Sequence, residues 1–269
     1  MAAALFLHKH GIKATIYETR DEAYTSGGNI ALAPNALRVL DHLGVYDKIR
    51  LQGFNYEDIW FANGAGVTLG HFLNGSQKKY NYQAIRIPRT KVRDALREQC
   101  RIQGVEIRYE KRCSSVSEDG NKVTVSFADG EDVTSDFLIG ADGIHSHVRS
   151  HLAPKAEAPH FSGLMGIMGD VPASEVDHID HGFGLPAMLF GDSGSFAIMP
   201  CTYSGDEVGY FATIEAKDRS REEWEAFGHD KQELKRMLNE RFVSEQSKWP
   251  EFVQALNKKT PAETLTCWP

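Results

Sequence analysis

The chain has 269 residues, 41% of them hydrophobic and 25% charged, with a formal net charge of −7. This is ordinary globular composition, long enough for one large domain or two modest ones. The acidic balance leaves no basic stripe to neutralise phosphates, which excludes nucleic acid and an anionic membrane surface as expected partners. The first element, Ala2 to His10, reads as a helix closed by Gly11. Its apolar run stops at His8-Lys9-His10, too short to span a bilayer and without the basic leader of a signal peptide, so a cytoplasmic protein is expected. KATIYE (13–18) follows as a strand ending on a carboxylate. After the turn TSGGN, APNALRVLDHLG reads as a helix with Pro34 near its start, Leu37, Leu40 and Leu43 on one face, and Gly44 as its stop.

From Phe54 to Tyr82 the pattern alternates and is broken by NGAG and NGS, which predicts a hairpin-like excursion. A second helix covers RTKVRDALREQCRIQG. Strands are then expected at VEIRYE, SSVSE, KVTVSF and DFLIG, an order that implies a layered α/β unit containing a three-stranded antiparallel insert. Beyond Pro154, glycine-punctuated strands at HFSGLMGIMGDV, GFGLPAMLF, SGSFAIMP and GYFATIEA precede two or three helices between Arg219 and Leu256. The four cysteines, Cys100, Cys113, Cys201 and Cys267, include no C-x-x-C pair and suit reduced thiols.

Four positions carry candidate chemistry. Glu18, at a strand tip, can accept ribose hydroxyls or stand as a solvated carboxylate. Gly28, in TSGGN, can bring bare backbone close to a ligand or simply make a loop. Arg89 begins a helix, where a cation gains nothing from the dipole; a phosphate partner explains it, as does exposure to solvent. Asp142 stands in FLIGADGIHSHVR, between two glycines where an apolar run meets a helix. It can accept from sugar hydroxyls while the helix amides face a phosphate, or it can cap the helix. His145, His147 and His151 lack an acidic or thiol companion at useful spacing, so no metal site is expected. GDSGS (191–195) misses the final glycine of a nucleophile elbow, and EVDHIDHG reads as a solvated loop.

The ordered set AAALFLHKHGIKATIYE, GGNIALAPNALRVLDHLG, IPRTKVRDAL and FLIGADGIHSHVR resembles the FAD-dependent monooxygenases of the aromatic hydroxylase type. The resemblance implies an α/β protein: an incomplete FAD/NAD(P)-binding Rossmann-like domain interleaved with a β-rich substrate domain. It implies FAD-binding parts at 1–53 and 83–153, a substrate-domain hairpin at 54–82, and the substrate domain at 154–269. It assigns Glu18 to the adenosine ribose, places Gly28 near the cofactor, takes Arg89 to the flavin side of the dinucleotide, and assigns Asp142 to a motif serving FAD and NAD(P)H. The family's G-x-G-x-x-G loop and its later G-D motif are not present in this sequence, so a truncated flavin site is expected. Met168 stands nearest to a position where some members carry a substrate-binding arginine.

Three function classes follow. The first is an FAD monooxygenase, with NAD(P)H as donor, that hydroxylates or epoxidises a small aromatic, polyketide-like or terpenoid-like substrate. The second is a flavin-free relative catalysing isomerisation or cyclisation, which stoichiometric FAD would eliminate. The third is a non-catalytic relative that binds a ligand or partner, with a homo-oligomer among the expected assemblies. No catalytic side chain is assigned.

Overall fold

The computed structural model describes residues 1–25, 27–157, 159–243 and 248–269. Ser26 of the TSGGN turn and residues 244–247 of the expected C-terminal helical region lie outside the described residues. In chain order the elements begin with α1 (Ala2–Lys9), β1 (Thr15–Tyr17), β2 (Asn29–Leu32), α2 (Pro34–His42) and α3 (Tyr46–Ile49). β3 (Phe54–Tyr56), β4 (Asp58–Asn63), β5 (Thr68–Leu73), α4 (Gln77–Tyr80) and β6 (Ala84–Pro88) lead into α5 (Arg89–Gln103). β7 (Glu106–Arg108), β8 (Cys113–Asp119), β9 (Lys122–Phe127), β10 (Asp132–Ser135) and α6 (His147–Leu152) follow. The last part holds β11 (Leu164–Pro172), β12 (Ala187–Gly191), β13 (Gly194–Pro200) and β14 (Glu207–Glu215). Then come α7 (Arg221–His229), α8 (Lys231–Phe242), α9 (Glu251–Lys259) and β15 (Thr266–Trp268).

The chain divides into two compact units, Met1–Ser26 with Leu96–His160, and Gly27–Ala95 with Phe161–Pro269. In the first, β1 and β7 pair in parallel, with Thr15 opposite Glu106 and Tyr17 opposite Arg108. β10, β9 and β8 form an antiparallel sheet. α1 and α5 end alike. The N–H of Gly11 returns to His8 and that of Ile12 to Leu7; the N–H of Gly104 returns to Arg101 and that of Val105 to Cys100. These paired bonds absorb terminal carbonyls and require the left-handed φ of +74° and +70° that glycine adopts freely.

The expected strand DFLIG is not formed. The strand begins at Asp132, directly after the 128–131 turn, and closes at Ser135. Residues 137–140 belong to no ladder among the described residues, and Phe137 and Ile139 are 49% and 54% exposed. An apolar run becomes a strand only where another strand takes its amides and carbonyls.

The second unit holds a seven-stranded sheet, in the order β15-β11-β14-β13-β12-β4-β5, and a three-stranded sheet, β2-β6-β3. The β4–β5 hairpin joins the larger sheet through parallel pairing of β4 with β12, whereas β3 pairs with β6. Two neighbouring cross-strand rows show how the large sheet is used. Ile167, Ala212, Phe196, Leu189 and Ala62 stand opposite one another and are all fully buried, in one core with Leu234, Leu238, Phe242, Phe252 and Leu256 of α8 and α9. One residue along, Met168, Phe211, Ala197, Met188 and Phe61 make the matching row on the opposite face and are only half-buried. The two-residue side-chain period thus gives one sealed face and one open apolar face.

Candidate functional site

Glu18 extends the β1–β7 ladder: its N–H donates to Arg108 O at 2.9 Å, and its carbonyl accepts from Lys111 N at 2.8 Å. The ladder therefore fixes the backbone and leaves the side chain at the strand tip. One carboxylate oxygen accepts from Arg20 N at 2.9 Å, and the group makes no ion pair among the described residues.

Asp142 is engaged by its own helix. Its carboxylate accepts from Ser146 Oγ at 2.5 Å, His147 N at 2.7 Å and Val148 N at 3.3 Å, while Ser146 Oγ accepts from Arg149 N at 2.9 Å. Burial pushes the Asp142 carboxyl up, but these hydrogen bonds outweigh it and hold it below the usual carboxylate range. The flanking glycines have separate tasks. A Cβ on Gly140 would stand 2.7 Å from Val148, and Gly143 takes φ +80°, which turns the chain back over the helix start. The first amides of α6 are thus taken by Asp142 and Ser146, so the expected presentation of those amides to a phosphate is not seen. Capping is what the aspartate does here.

In the second unit, Gly28 and Arg89 meet: Arg89 N donates to the Gly28 carbonyl at 3.0 Å, where β2 runs antiparallel to β6. Arg89 is exposed and forms no ion pair among the described residues. A Cβ on Gly28 would come to 3.1 Å from Met168 Cε, so this loop lies against one end of the open apolar row. At the other end, Phe61 and Met188 pack on Tyr56, Ile59 and Ala84.

A group not singled out from sequence sits beside that loop. Arg86 lies in β6 between Ile85 and Ile87, both fully buried, and its Nε is sealed from solvent without a hydrogen-bond partner among the described residues. Asn29 and Arg86 share one face of the small sheet, since Ala31 is the partner of Arg86 and Asn29 lies two residues away. Asn29 Nδ2 donates to Cys201 Sγ at 3.3 Å, the thiol donates to Met199 O at 3.4 Å, and Asn29 Oδ1 is buried without a partner among the described residues. Burial pushes the Cys201 thiol up to about 11, against the opposing pull of Arg86. The available signal was one arginine inside the apolar run AIRIP, where nothing explains a charge except a partner.

Other motifs resolve structurally. Ser193 of GDSGS accepts from Trp249 Nε1 at 2.7 Å and donates to Arg241 O at 3.0 Å, which ties the β12–β13 turn to α8. His151 faces Glu118 at 3.2 Å.

Residues 1–258 match the family described as FAD binding domain. The chain belongs to this family. Among curated relatives, it is 29% identical over 231 residues to a 3-amino-4-hydroxybenzoate 2-monooxygenase of Streptomyces platensis, across 84% of this chain and 56% of that one. It is 24% identical over 270 residues to 6-hydroxynicotinate 3-monooxygenase of Bordetella bronchiseptica, across 100% of this chain and 67% of that one. It thus spans 56–67% of the length of these two relatives. The fold matches HpxO of Klebsiella pneumoniae, solved with FAD and uric acid, with a TM-score of 0.78, 22% identity, and coverage of 99% of this chain and 64% of that one. PqsL of P. aeruginosa, in complex with 2-aminobenzoylacetate, gives a TM-score of 0.74 at 20% identity, across 100% of this chain and 70% of that one. The Rossmann-like α/β architecture with a β-rich part is therefore the family's.

The residues of each unit fit such a cofactor. In the first unit Glu18 keeps a carboxylate oxygen outside any described hydrogen bond, suited to ribose hydroxyls. In the second, Arg89 has no ion pair among the described residues and stands beside glycine backbone, suited to phosphate oxygens.

Proposed function

We propose that this chain binds FAD and serves the NAD(P)H-dependent monooxygenation of a small aromatic substrate. The observation that carries this reading is the family match over residues 1–258. The relatives' names support it further: 3-amino-4-hydroxybenzoate, 6-hydroxynicotinate and salicylate are the substrates they state, and each of those relatives is a monooxygenase or hydroxylase. The redox-neutral alternative draws no comparable support.

When bound, reduced FAD supplies oxygen activation; the protein's own groups bind, orient and shield. In the first unit, Glu18 accepts hydrogen bonds from the adenosine ribose, and Asp142 holds α6 so that the GADG loop keeps its course. In the second, Arg89 neutralises cofactor charge and Gly28 lets backbone approach it. The half-buried row Met168–Phe211–Ala197–Met188–Phe61 offers an aromatic ring a flat apolar platform that excludes water. Within this reading, residues 1–53 and 83–153 are the cofactor-binding parts and 54–82 with 154–269 the substrate-binding parts. The four unpaired thiols suit the cytoplasm, where they stay reduced. The test is incubation with FAD, NADH or NADPH and a panel of hydroxylated aromatic acids under labelled oxygen. A product carrying one labelled oxygen atom supports the proposal, and reduced cofactor consumed without any such product for the whole panel refutes it.

A further inference from the structure

We propose that Arg86 and Asn29 form the specificity end of the substrate site. Arg86 binds a carboxylate, and Asn29 accepts from an O–H or N–H on the same aromatic ring. This inference rests on the reading that the open sheet face carries the substrate.

Arg86 is a cation without a counter-charge. Among the described residues it makes no ion pair and its Nε has no partner; the guanidinium hydrogen-bonds to the neutral Cys201 side chain, and its other charged or titratable neighbours are Tyr56 and Arg89. Neither of the first two is an anion near neutrality. The Cys201 thiol is neutral because burial holds its proton, and burial likewise raises Tyr56, whose hydroxyl accepts from Asn74 Nδ2 at 3.0 Å. Arg89 adds a like charge. A half-buried guanidinium whose Nε is sealed from solvent without a partner is costly, and a side chain kept so for structural reasons would have a carboxylate beside it. The missing partner is therefore an anionic ligand.

The second orphan narrows the ligand. Among the described residues Asn29 Oδ1 is an acceptor without a donor; its residue lies on the same face of the small sheet and diagonal to Arg86, where Cα atoms stand about 7–8 Å apart. A phosphodiester or pyrophosphate carries acceptors only and leaves Asn29 unmatched. A hydroxy- or amino-substituted aromatic carboxylate matches both groups, and its ring extends toward Met168, which the adjacent Gly28 contacts.

The experiment uses the whole chain, with calorimetric titration of salicylate, benzoate (no donor), salicylamide (no charge) and inorganic pyrophosphate, against wild type, Arg86→Met and Asn29→Leu. Wild type is expected to prefer salicylate, then benzoate, over salicylamide and pyrophosphate. Arg86→Met weakens salicylate about 10- to 100-fold and leaves salicylamide unchanged; Asn29→Leu removes the difference between salicylate and benzoate. Melting curves separate function from folding. Because Arg86 is an uncompensated charge, the methionine variant melts no lower than wild type without ligand, and salicylate raises the melting temperature of wild type more than that of the methionine variant. Equal salicylate affinity in wild type and Arg86→Met, no carboxylate binding by wild type, or an Arg86-dependent preference for pyrophosphate each overturns the proposal. A destabilised methionine variant also overturns it, since a structural role is then shown. A parallel FAD titration distinguishes the failures. Arg86-dependent salicylate binding without FAD binding sinks the flavoenzyme reading alone, while FAD binding with Arg86-independent salicylate binding sinks this inference alone.

Discussion

Replacing Asp142 separates the two readings of the GADG motif. In the structure its carboxylate accepts three hydrogen bonds at the start of α6, from Ser146 Oγ and from the amides of His147 and Val148. Asp142→Ala leaves both amides without that acceptor and frees Ser146. Losing an N-terminal capping side chain costs about 1–2 kcal/mol, and because the residue is exposed, water recovers part of the rest. Asn preserves the acceptor, so Asp142→Asn costs a few tenths of a kcal/mol at most. The assay is amide hydrogen exchange by mass spectrometry over residues 141–153, with thermal melts alongside. The alanine variant is expected to raise exchange of the His147 and Val148 amides about 5- to 30-fold, corresponding to that free energy, with the asparagine variant close to wild type. Alanine and asparagine variants that exchange alike, at the wild-type rate, would refute the capping argument.

Three further outcomes follow, two from the packing and titration of the second unit and one from Glu18 of the first. Phe196→Ala empties the centre of the buried row, where the ring meets Tyr210, Phe242 and Trp249 at 4.8, 5.2 and 6.3 Å. It is expected to cost about 3–5 kcal/mol in denaturant unfolding, and a loss below about 1 kcal/mol would mean the core is not packed as described. Cys201 has a thiol raised by burial to about 11 from 9.0, so its stabilising effect is intact below pH 9 and is lost as pH rises through about 11. Between those limits wild type should lose about 3 kcal/mol more than Cys201→Ala, and parallel alkaline denaturation curves for the two proteins would contradict this. Glu18→Gln is expected to weaken FAD binding about tenfold without changing the melt of the free protein, since among the described residues its side chain bonds only to the neighbouring Arg20 amide.

The fold was legible where local rules and tertiary pairing agree. KVTVSF (122–127) became β9 at those bounds, because alternation supplies one buried face through Val123, Val125 and Phe127. Gly11, Gly44 and Gly104 ended three helices, since each meets a left-handed turn that other residues adopt only at a cost. DFLIG misled for a physical reason: composition marks a segment as fit for a sheet, and only a neighbouring strand makes it one. The site was less legible. Glu18, Gly28 and Arg89 lay at strand and helix ends, where polar groups are visible from order alone. Asp142 had a local partner set that sequence could not choose between. Arg86 was overlooked because its meaning depends on Asn29 and Cys201, which lie 57 and 115 residues away in sequence and become neighbours through the small sheet and the end of β13. An unmatched charge is a three-dimensional fact: its significance is the absence of a partner, which no linear pattern displays.

The central claim is that this chain holds FAD. The measurement that tests it most directly is the visible absorption spectrum of the purified protein, recorded before and after addition of FAD and desalting, beside Arg89→Met. We expect twin flavin bands that survive desalting at near-equimolar FAD in wild type and are largely lost in the Arg89 variant. A wild-type protein that emerges colourless would contradict the account.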